Sequence, residues 1–418
     1  MRISVCRWAV LIICFLTSSV SFADDSKRAK PNPDELLFAG RYSEVGTPKE
    51  NDAHSQAVWA FAQFHLAPSG QVYDAAWEAH QKDELLGSFI VWQCQKDGIG
   101  ARRDEKLMWR LHFQLREKLE KKRDQTPLEL YVLAHLDPAD AEGVMKLPEG
   151  TKYDEFEKQN TERKHRLLEQ SANAGFAQAC EQLAKNYQDA RDYREALTWF
   201  DKAIQLGHGA AMRSRGFMLM IGQGAEKDPK AAFELATRAA DAGDAFGTIN
   251  LAVYYDKGWG TAEDKKKAQY WLDKAAESGH WAGRIERGMA RFKGAYGFTV
   301  DAKAGEEDWR QAVTLRHRNV LDFLARFYAE GEGTAKDGKR AVHFAEAAFV
   351  QGSPHAAGLL AQIYDKGLTG VVKDETLREY WSIQSNPSFA FTFARDMEKR
   401  HPELTERLKK LDPWEWGK

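Results

Sequence analysis

The sequence is poor in the features that would make a deep enzyme or a stapled scaffold. It has 4 cysteines and 12 prolines in 418 residues, and no long run of lysine and arginine. Four cysteines exclude a disulfide-dense scaffold and a multi-cysteine zinc site. Few prolines beside many Ala, Glu, Lys and Leu disfavour a turn-rich sandwich and favour helices. A formal net charge of -2 removes the electrostatic footprint that phosphate contacts require, so nucleic acid is not an expected partner. With 29% charged and 43% hydrophobic residues the chain is expected to fold.

The apolar run at the start is too short to span a bilayer, and no later stretch reaches the roughly 20 apolar residues needed, so stable membrane insertion is not expected. Arg2 and Arg7 precede an apolar run from Trp8 to Leu16, and Ser21-Phe22-Ala23 puts small residues at a cleavage site. This reads as a signal peptide (1-23) cleaved after Ala23, so the mature protein is expected to be periplasmic or secreted. A lipoprotein reading through Leu11-Ile12-Ile13-Cys14 is disfavoured by the bulky Ile13 before the cysteine. Cys6 and Cys14 leave with the leader. Cys94 and Cys180 remain, far apart in sequence and in helical apolar contexts, and read as two buried thiols.

What the chain does have is a period. Asp192, Asp228, Asp264, Asp301, Asp337 and Asp374 are separated by 36, 36, 37, 36 and 37 residues. Seven positions after each come Trp199, Leu235, Trp271, Asp308, Phe344 and Trp381, bulky in all but one. Eleven positions after come Ala203, Ala239, Ala275, Ala312, Ala348 and Ser385. Four before all but the first come Gly224, Gly260, Gly297, Gly333 and Gly370, usually closing a Gly-x-Gly pair such as Gly258-Trp259-Gly260. The glycines supply the positive φ that ends a helix, and the aspartate caps the next one. In Asp228-Pro229 the proline takes the first helical position, where a missing N–H costs nothing. Bulky and small side chains one turn apart share a helical face, and Ala184, Gly216, Ala252, Gly288, Ala325 and Ala361 play the small part on the preceding helix. Each period is therefore a helical hairpin that stacks on its neighbours.

These residues resemble the Sel-1-like repeat, a relative of the tetratricopeptide repeat. The stretch LAVYYDKGWGTAEDKKKAQYWLDKAAESG, Leu251 to Gly279, carries nearly the whole pattern. The resemblance implies an all-α fold, a right-handed α-solenoid of about eight or nine hairpins. It is specific over 176-386 and degenerate over 51-175. There Gly98-Ile99-Gly100, Asp104 and Leu111 keep the loop spacing, Leu128 to Leu136 and Glu155 to Gly175 form a hairpin with a lengthened loop, and a further pair runs from Asp52 to His80. Residues 24-50 read as a lead-in and 387-418 as a C-terminal cap carrying Trp414 and Trp416.

No catalytic or phosphate-binding signature is present, and the Gly-x-Gly loops follow helices rather than strands, so they read as structural. His208, His280 and His317 fall at repeat ends, where a cation would favour the helix dipole without any metal. No cofactor and no enzymatic activity are expected.

In this superhelical class the first helix of each hairpin lines the concave surface. Counting from the glycine loop places Arg213, Phe217, Met220 and Ile221, then Phe246, Ile249 and Val253, then Ile285, Met289 and Phe292 in the groove. Flanking units offer Gln178, Glu181, Lys185 and Gln188 on one side and Asn319, Asp322, Arg326 and Glu330 on the other. An apolar middle with charged rims has the composition of an interface core. A slip of one residue would instead put these side chains in the hairpin core, and Arg215 and Arg287 stand where the family usually has Leu. The local register therefore decides between groove and core.

The resemblance further implies a non-enzymatic protein-protein scaffold of the bacterial cell envelope, with another protein as partner. Its most specific form is an immunity protein that neutralises a type VI secretion effector. The alternatives are an adaptor in envelope assembly, exopolysaccharide export or signalling, and a β-lactam or peptidoglycan enzyme. The exported relatives that act on β-lactams carry a disulfide in each repeat, which this chain lacks. Trp59, Trp77, Trp259, Trp281, Trp414 and Trp416 are the candidates for stacking on a glycan.

Overall fold

The computed structural model describes residues 32–38, 40–49, 52–136, 153–331, 336–385 and 399–416. The expected leader lies outside them. Among the described residues there is no strand, only isolated bridges, and the helices pair in order. After α1 (Pro33–Phe38) come nine hairpins. They are α2 (Ala53–Leu66) with α3 (Gly70–Gln81), α4 (Leu85–Asp97) with α5 (Glu105–Glu120), and α6 (Pro127–Ala134) with the long α7 (Tyr153–Asn173). Then come α8 (Ala177–Asp189) with α9 (Tyr193–Gln205), α10 (Gly209–Ile221) with α11 (Pro229–Asp241), and α12 (Ala245–Lys257) with α13 (Lys265–Glu277). The last are α14 (Trp281–Lys293) with α15 (Ala302–Thr314), α16 (Arg318–Glu330) with α17 (Gly338–Val350), and α18 (Ala356–Lys366) with α19 (Glu375–Gln384), before a final α20 (Pro402–Lys410). Among the described residues no helix is long and apolar enough to cross a membrane.

The local grammar works as the period implies. Asp192, Asp228, Asp264, Asp301, Asp337 and Asp374 each cap the second helix of a hairpin, accepting from a backbone N–H two or three residues on, for example Ala231 at 2.9 Å and Lys267 at 3.0 Å. This satisfies donors that a helix start otherwise leaves open. Gly260 shows why the loop demands glycine. It has φ +69, and a Cβ there would lie 1.9 Å from the Pro229 carbonyl oxygen.

The unit from 281 to 317 departs from the pattern. Asp308 occupies the bulky position, and Trp309, one residue later, fills the space instead. Trp309 is fully buried, stacks on Phe292 at 4.5 Å with 6° between the planes, and donates to the Ile285 carbonyl at 3.2 Å. Two glycines make room for this stack: a Cβ at Gly288 would sit 2.1 Å from Trp309 Nε1, and one at Gly305 would sit 2.5 Å from the Phe292 ring.

The second kind of junction, between one hairpin and the next, does something the repeat pattern does not announce. Gly175, Gly207, Gly243, Gly279 and Gly352 all take positive φ there, and Arg316 takes the same conformation at φ 53. The N-terminal segment runs along this row of junctions in chain order. Gly40 packs on Ala177 and His208, Arg41 on Gly207, Ser43 and Leu66 on Gly243, and Ala67 on Gly279. Gly70 N–H then donates to the Leu315 carbonyl at 2.9 Å, and Gly100 N–H to the Arg316 carbonyl at 2.7 Å. Arg103 N–H donates to Gln351 Oε1 at 3.1 Å, and the Arg102 guanidinium donates to the Leu408, Lys409 and Leu411 carbonyls at 2.7 to 2.9 Å. The first hairpins thus lie lengthwise against the later ones. Leu36, Leu37, Tyr42 and Val45 of the lead-in are buried in this seam.

The histidines at the junctions need a different account from a helix-dipole cation. His208, His280 and His317 are N-caps of α10, α14 and α16, and all three are buried. His280 Nδ1 accepts from Ala282 N–H at 3.0 Å, and His317 Nδ1 from Asn319 N–H at 3.1 Å. His208 Nε2 donates to Gln178 Oε1 at 2.8 Å, an oxygen that the Tyr42 hydroxyl also reaches at 3.0 Å. Burial holds them neutral, pushing His208 and His280 down to about 4 and His317 well below its ordinary value. A positive end of a helix has no use for a cation, so at His280 and His317 an accepting imidazole is the form that fits.

Two outcomes follow from this packing. Gly283→Ala would place a Cβ 2.0 Å from the Ala275 carbonyl oxygen and should lower stability by about 1–3 kcal/mol or more. Gly358→Ala, in a helix interior with nothing within 4 Å, should instead raise it by about 0.5–1 kcal/mol, both read from the urea midpoint. The histidines predict a pH dependence. Their folded pKa values lie below the unfolded value of about 6.5, so the unfolded chain takes up protons first and stability falls as pH drops from about 6.5 toward 4. His280→Asn keeps an accepting cap and should flatten the fall of the urea midpoint between about pH 7 and pH 5 by close to one proton's worth, up to about 3 kcal/mol at pH 4. An unchanged slope would show that His280 is not held neutral.

Candidate binding groove

The first helices α8, α10, α12, α14 and α16 stand side by side, and their residues fall into rows, one from each unit. Glu181, Arg213, Ile249, Ile285 and Asp322 form one row. Lys185, Phe217, Val253, Met289 and Arg326 form the next, one turn on.

The arginines settle the register. Arg215 and Arg287 occupy the same helical position as the buried Leu183, Leu251, Leu324 and Leu360. Each meets a carboxylate from the helix before it, the second helix of the preceding hairpin. Arg215 Nε donates to Asp201 at 3.0 Å, and Arg287 NH1 to Asp273 at 3.1 Å, two aspartates at one repeat position. Arg287 also grips Asp308, with NH2 2.6 Å from Oδ1, and Arg291 holds the other oxygen at 2.7 Å. Asp308 in the bulky position is therefore the counter-charge of an arginine in the leucine position. A buried charge is tolerated because it is paired and hydrogen-bonded.

The predicted groove residues divide by exposure. Arg213, Phe217, Phe246 and Met289 are half-buried and Ile221 is exposed. Met220, Ile249, Val253 and Ile285 are buried, because α12 lies between α10 and α14 and ten of its thirteen residues are covered. Phe292 is a core residue, stacked on Trp309 and 5.4 Å from Phe327. A ladder of rings crosses the middle units. The Arg213 guanidinium lies 5.4 Å over Phe246, Phe246 meets His280 edge-on at 4.8 Å, and Trp281 stacks on His317 at 4.9 Å. Trp281 and the junction residues His280 and Asp244 were not among the groove residues read from the sequence. Only the stacking of one unit on the next brings them beside Phe246.

Both ends of the rows carry charge. Glu181 is 1% exposed, and its ion-pair partner Lys185 has Nζ 2.5 Å from Oε1. Burial pushes the Glu181 carboxyl up, but the positive charges around it, Lys185 foremost, hold it below the usual carboxylate range. At the other end burial raises the Asp322 carboxyl, although the Ser353 hydroxyl donates to it at 2.5 Å and Arg318 and Arg326 lie near. Arg213 Nε donates to Asp244 Oδ1 at 2.9 Å, which fixes the guanidinium over Phe246. Among the described residues no three His, Cys, Asp or Glu side chains gather as metal ligands. Cys94 and Cys180 are buried, unbonded thiols. Of the tryptophans, Trp259 in its glycine loop is exposed, whereas Trp416 is partly buried against Phe344 at 5.4 Å with Arg310 over its face at 4.6 Å.

Comparison with known proteins agrees with this layout. The Sel1 repeat matches residues 177–208, 209–244, 245–280, 321–353 and 354–377, and passes over the unit in which Trp309 replaces the usual bulky residue. The chitin synthase regulator SKT5 of Saccharomyces cerevisiae is 26% identical over 200 residues, covering 46% of this chain. The chain spans only 29% of that regulator's length. A Sel1 repeat protein from Oxalobacter formigenes is 23% identical with a TM-score of 0.39, covering 50% of this chain and 86% of its own. An immunity protein from Pseudomonas aeruginosa is 21% identical with a TM-score of 0.37, covering 55% and 86%. With their hairpins and capping aspartates, residues 177–280 and 321–377 of the chain are Sel1 repeats.

Proposed function

We propose that the chain is a non-enzymatic scaffold whose concave row of first helices holds a segment of another protein. The observation that carries this is the line Lys185, Phe217, Val253, Met289 and Arg326. It is one helical position repeated over five units, apolar in the three middle ones and charged at both ends. Phe217 and Met289 in that line are half-exposed. Partly exposed aromatic and sulfur-bearing side chains bounded by charge are the composition of an interface core. Repeat arrays present extended surfaces of this kind without an enclosed reaction chamber.

The leader-like residues 1–23 put this groove outside the cytoplasm in our reading. There its most specific role is that of an immunity protein, a stoichiometric neutraliser of an effector delivered by a type VI secretion system. An adaptor in envelope assembly or export is the alternative. A strain lacking the protein separates the two: death under attack by its own sister cells supports neutralisation, whereas a defect in export or envelope integrity without such attack supports the adaptor.

Phe217→Asp and Met289→Asp should each abolish co-purification of the partner from envelope extracts while far-UV circular dichroism and melting stay as in the parent. Retained co-purification would remove the groove from the reading, and loss of helicity would place these residues in the core instead.

A further inference from the structure

The two end units of the groove repeat one charge arrangement. An acid stands one turn before a base, Glu181 before Lys185 on α8 and Asp322 before Arg326 on α16. In both, the acid is the inner member. Glu181 is 1% exposed while the Lys185 side chain is 43% exposed, and Asp322 is half-buried and bonded to Ser353 while Arg326 is exposed. Each pair is therefore a dipole with its positive end at the surface. An approaching molecule meets, in order, an ammonium, Phe217 and Met289 with Val253 beneath, and a guanidinium. Arg213 adds a further cation inside the line, held by the buried Asp244. Glu286, on α14, has its carboxyl pushed up by burial, and Glu330 lies a turn beyond Arg326 at the end of α16 and bounds the stripe.

We infer that the occupant of the groove is an extended protein segment with an apolar middle and carboxylates on both sides of it. This rests on the groove being the binding surface, and it names the chemistry of what binds. Helices pack about 8–10 Å apart, so four steps from α8 to α16 span about 35 Å, the length of roughly ten extended residues. The apolar side chains of the segment cover Phe217 and Met289, and its flanking carboxylates reach Lys185 and Arg326. Because these two cations are at the rim rather than buried, they set register and speed of association more than depth of binding, and salt screens them.

The test uses the full mature chain and synthetic fluorescent peptides of about fourteen residues. All share one Leu and Phe centre, flanked by Glu in one peptide and by Lys in the other, and binding is read by anisotropy. The Glu-flanked peptide should bind about tenfold more tightly at low salt, with the difference shrinking near ~0.5 M NaCl. Arg326→Glu should erase that preference without changing the circular dichroism or the melting temperature, and Lys185→Gln should reduce it. Phe217→Asp should abolish binding of both peptides. Equal or tighter binding of the Lys-flanked peptide, or a preference that survives Arg326→Glu, overturns the inference while the groove reading stands. Binding of either peptide that is indifferent to Phe217→Asp overturns the groove reading itself, and failure of both peptides to bind overturns the inference.

Discussion

The junction between consecutive hairpins is the constraint on which the rest of the molecule depends. There the chain ends one helix with a left-handed residue, turns, and starts the next helix on a buried capping side chain such as Asp244, His280 or His317. A side chain that caps while buried must accept a hydrogen bond and carry little uncompensated charge, which is why neutral imidazoles serve there and why Asp244 comes with Arg213. The same junctions leave small or backbone surface exposed along one edge. The N-terminal helices use that edge, reading the row from Gly207 to Gly352 in order and ending with Arg102 on the carbonyls of α20. Arg316 shows how strongly the seam imposes its geometry. It is a non-glycine residue in left-handed conformation, and its carbonyl receives Gly100 N–H while its own side chain packs over Gly70.

At its leucine position the repeat tolerates polar substitutions by pairing them. Arg215 with Asp201 and Arg287 with Asp273 and Asp308 replace leucine contacts by ion pairs, the one to Asp308 being buried, and the stack of Phe292 on Trp309 restores the apolar volume lost at Asp308. Removing one partner of such a pair would leave a charge stranded in the core, so these residues are coupled rather than individually replaceable. The half-open row of first-helix side chains is a by-product of the same stacking. Phe217 and Met289 in their row are left half-covered, whereas Val253, the α12 residue of the same row, is closed by α10 and α14.

Much of this was legible beforehand. The spacing of Asp192 through Asp374 locates every second helix of the later hairpins, and the glycines locate the turns, because both are local backbone requirements. The candidate groove was legible only as rows of residues. Whether Phe292 or Phe217 stays open depends on what the packed helices place beside it, and Trp309 of α15 is one residue out of the expected position, so Phe292 is covered while Phe217 is not. The junction histidines were visible as residues at repeat ends, but their state was misread, because proximity to a helix end in sequence does not say which helix, or which pole of it, the ring meets.

The sequence by itself determined the helices, their pairing and their period, since capping, glycine turns and amphipathic spacing act within a few residues of one another. The tertiary structure alone decided that the first hairpins lie along the junctions of the later ones, that the junction histidines are neutral, and that the bases Lys185 and Arg326 face outward while their acids are inner. Those outcomes depend on contacts between residues separated by as many as 309 positions, such as Arg102 with Leu411, and on which member of each acid–base pair the packing covers. No local propensity encodes either.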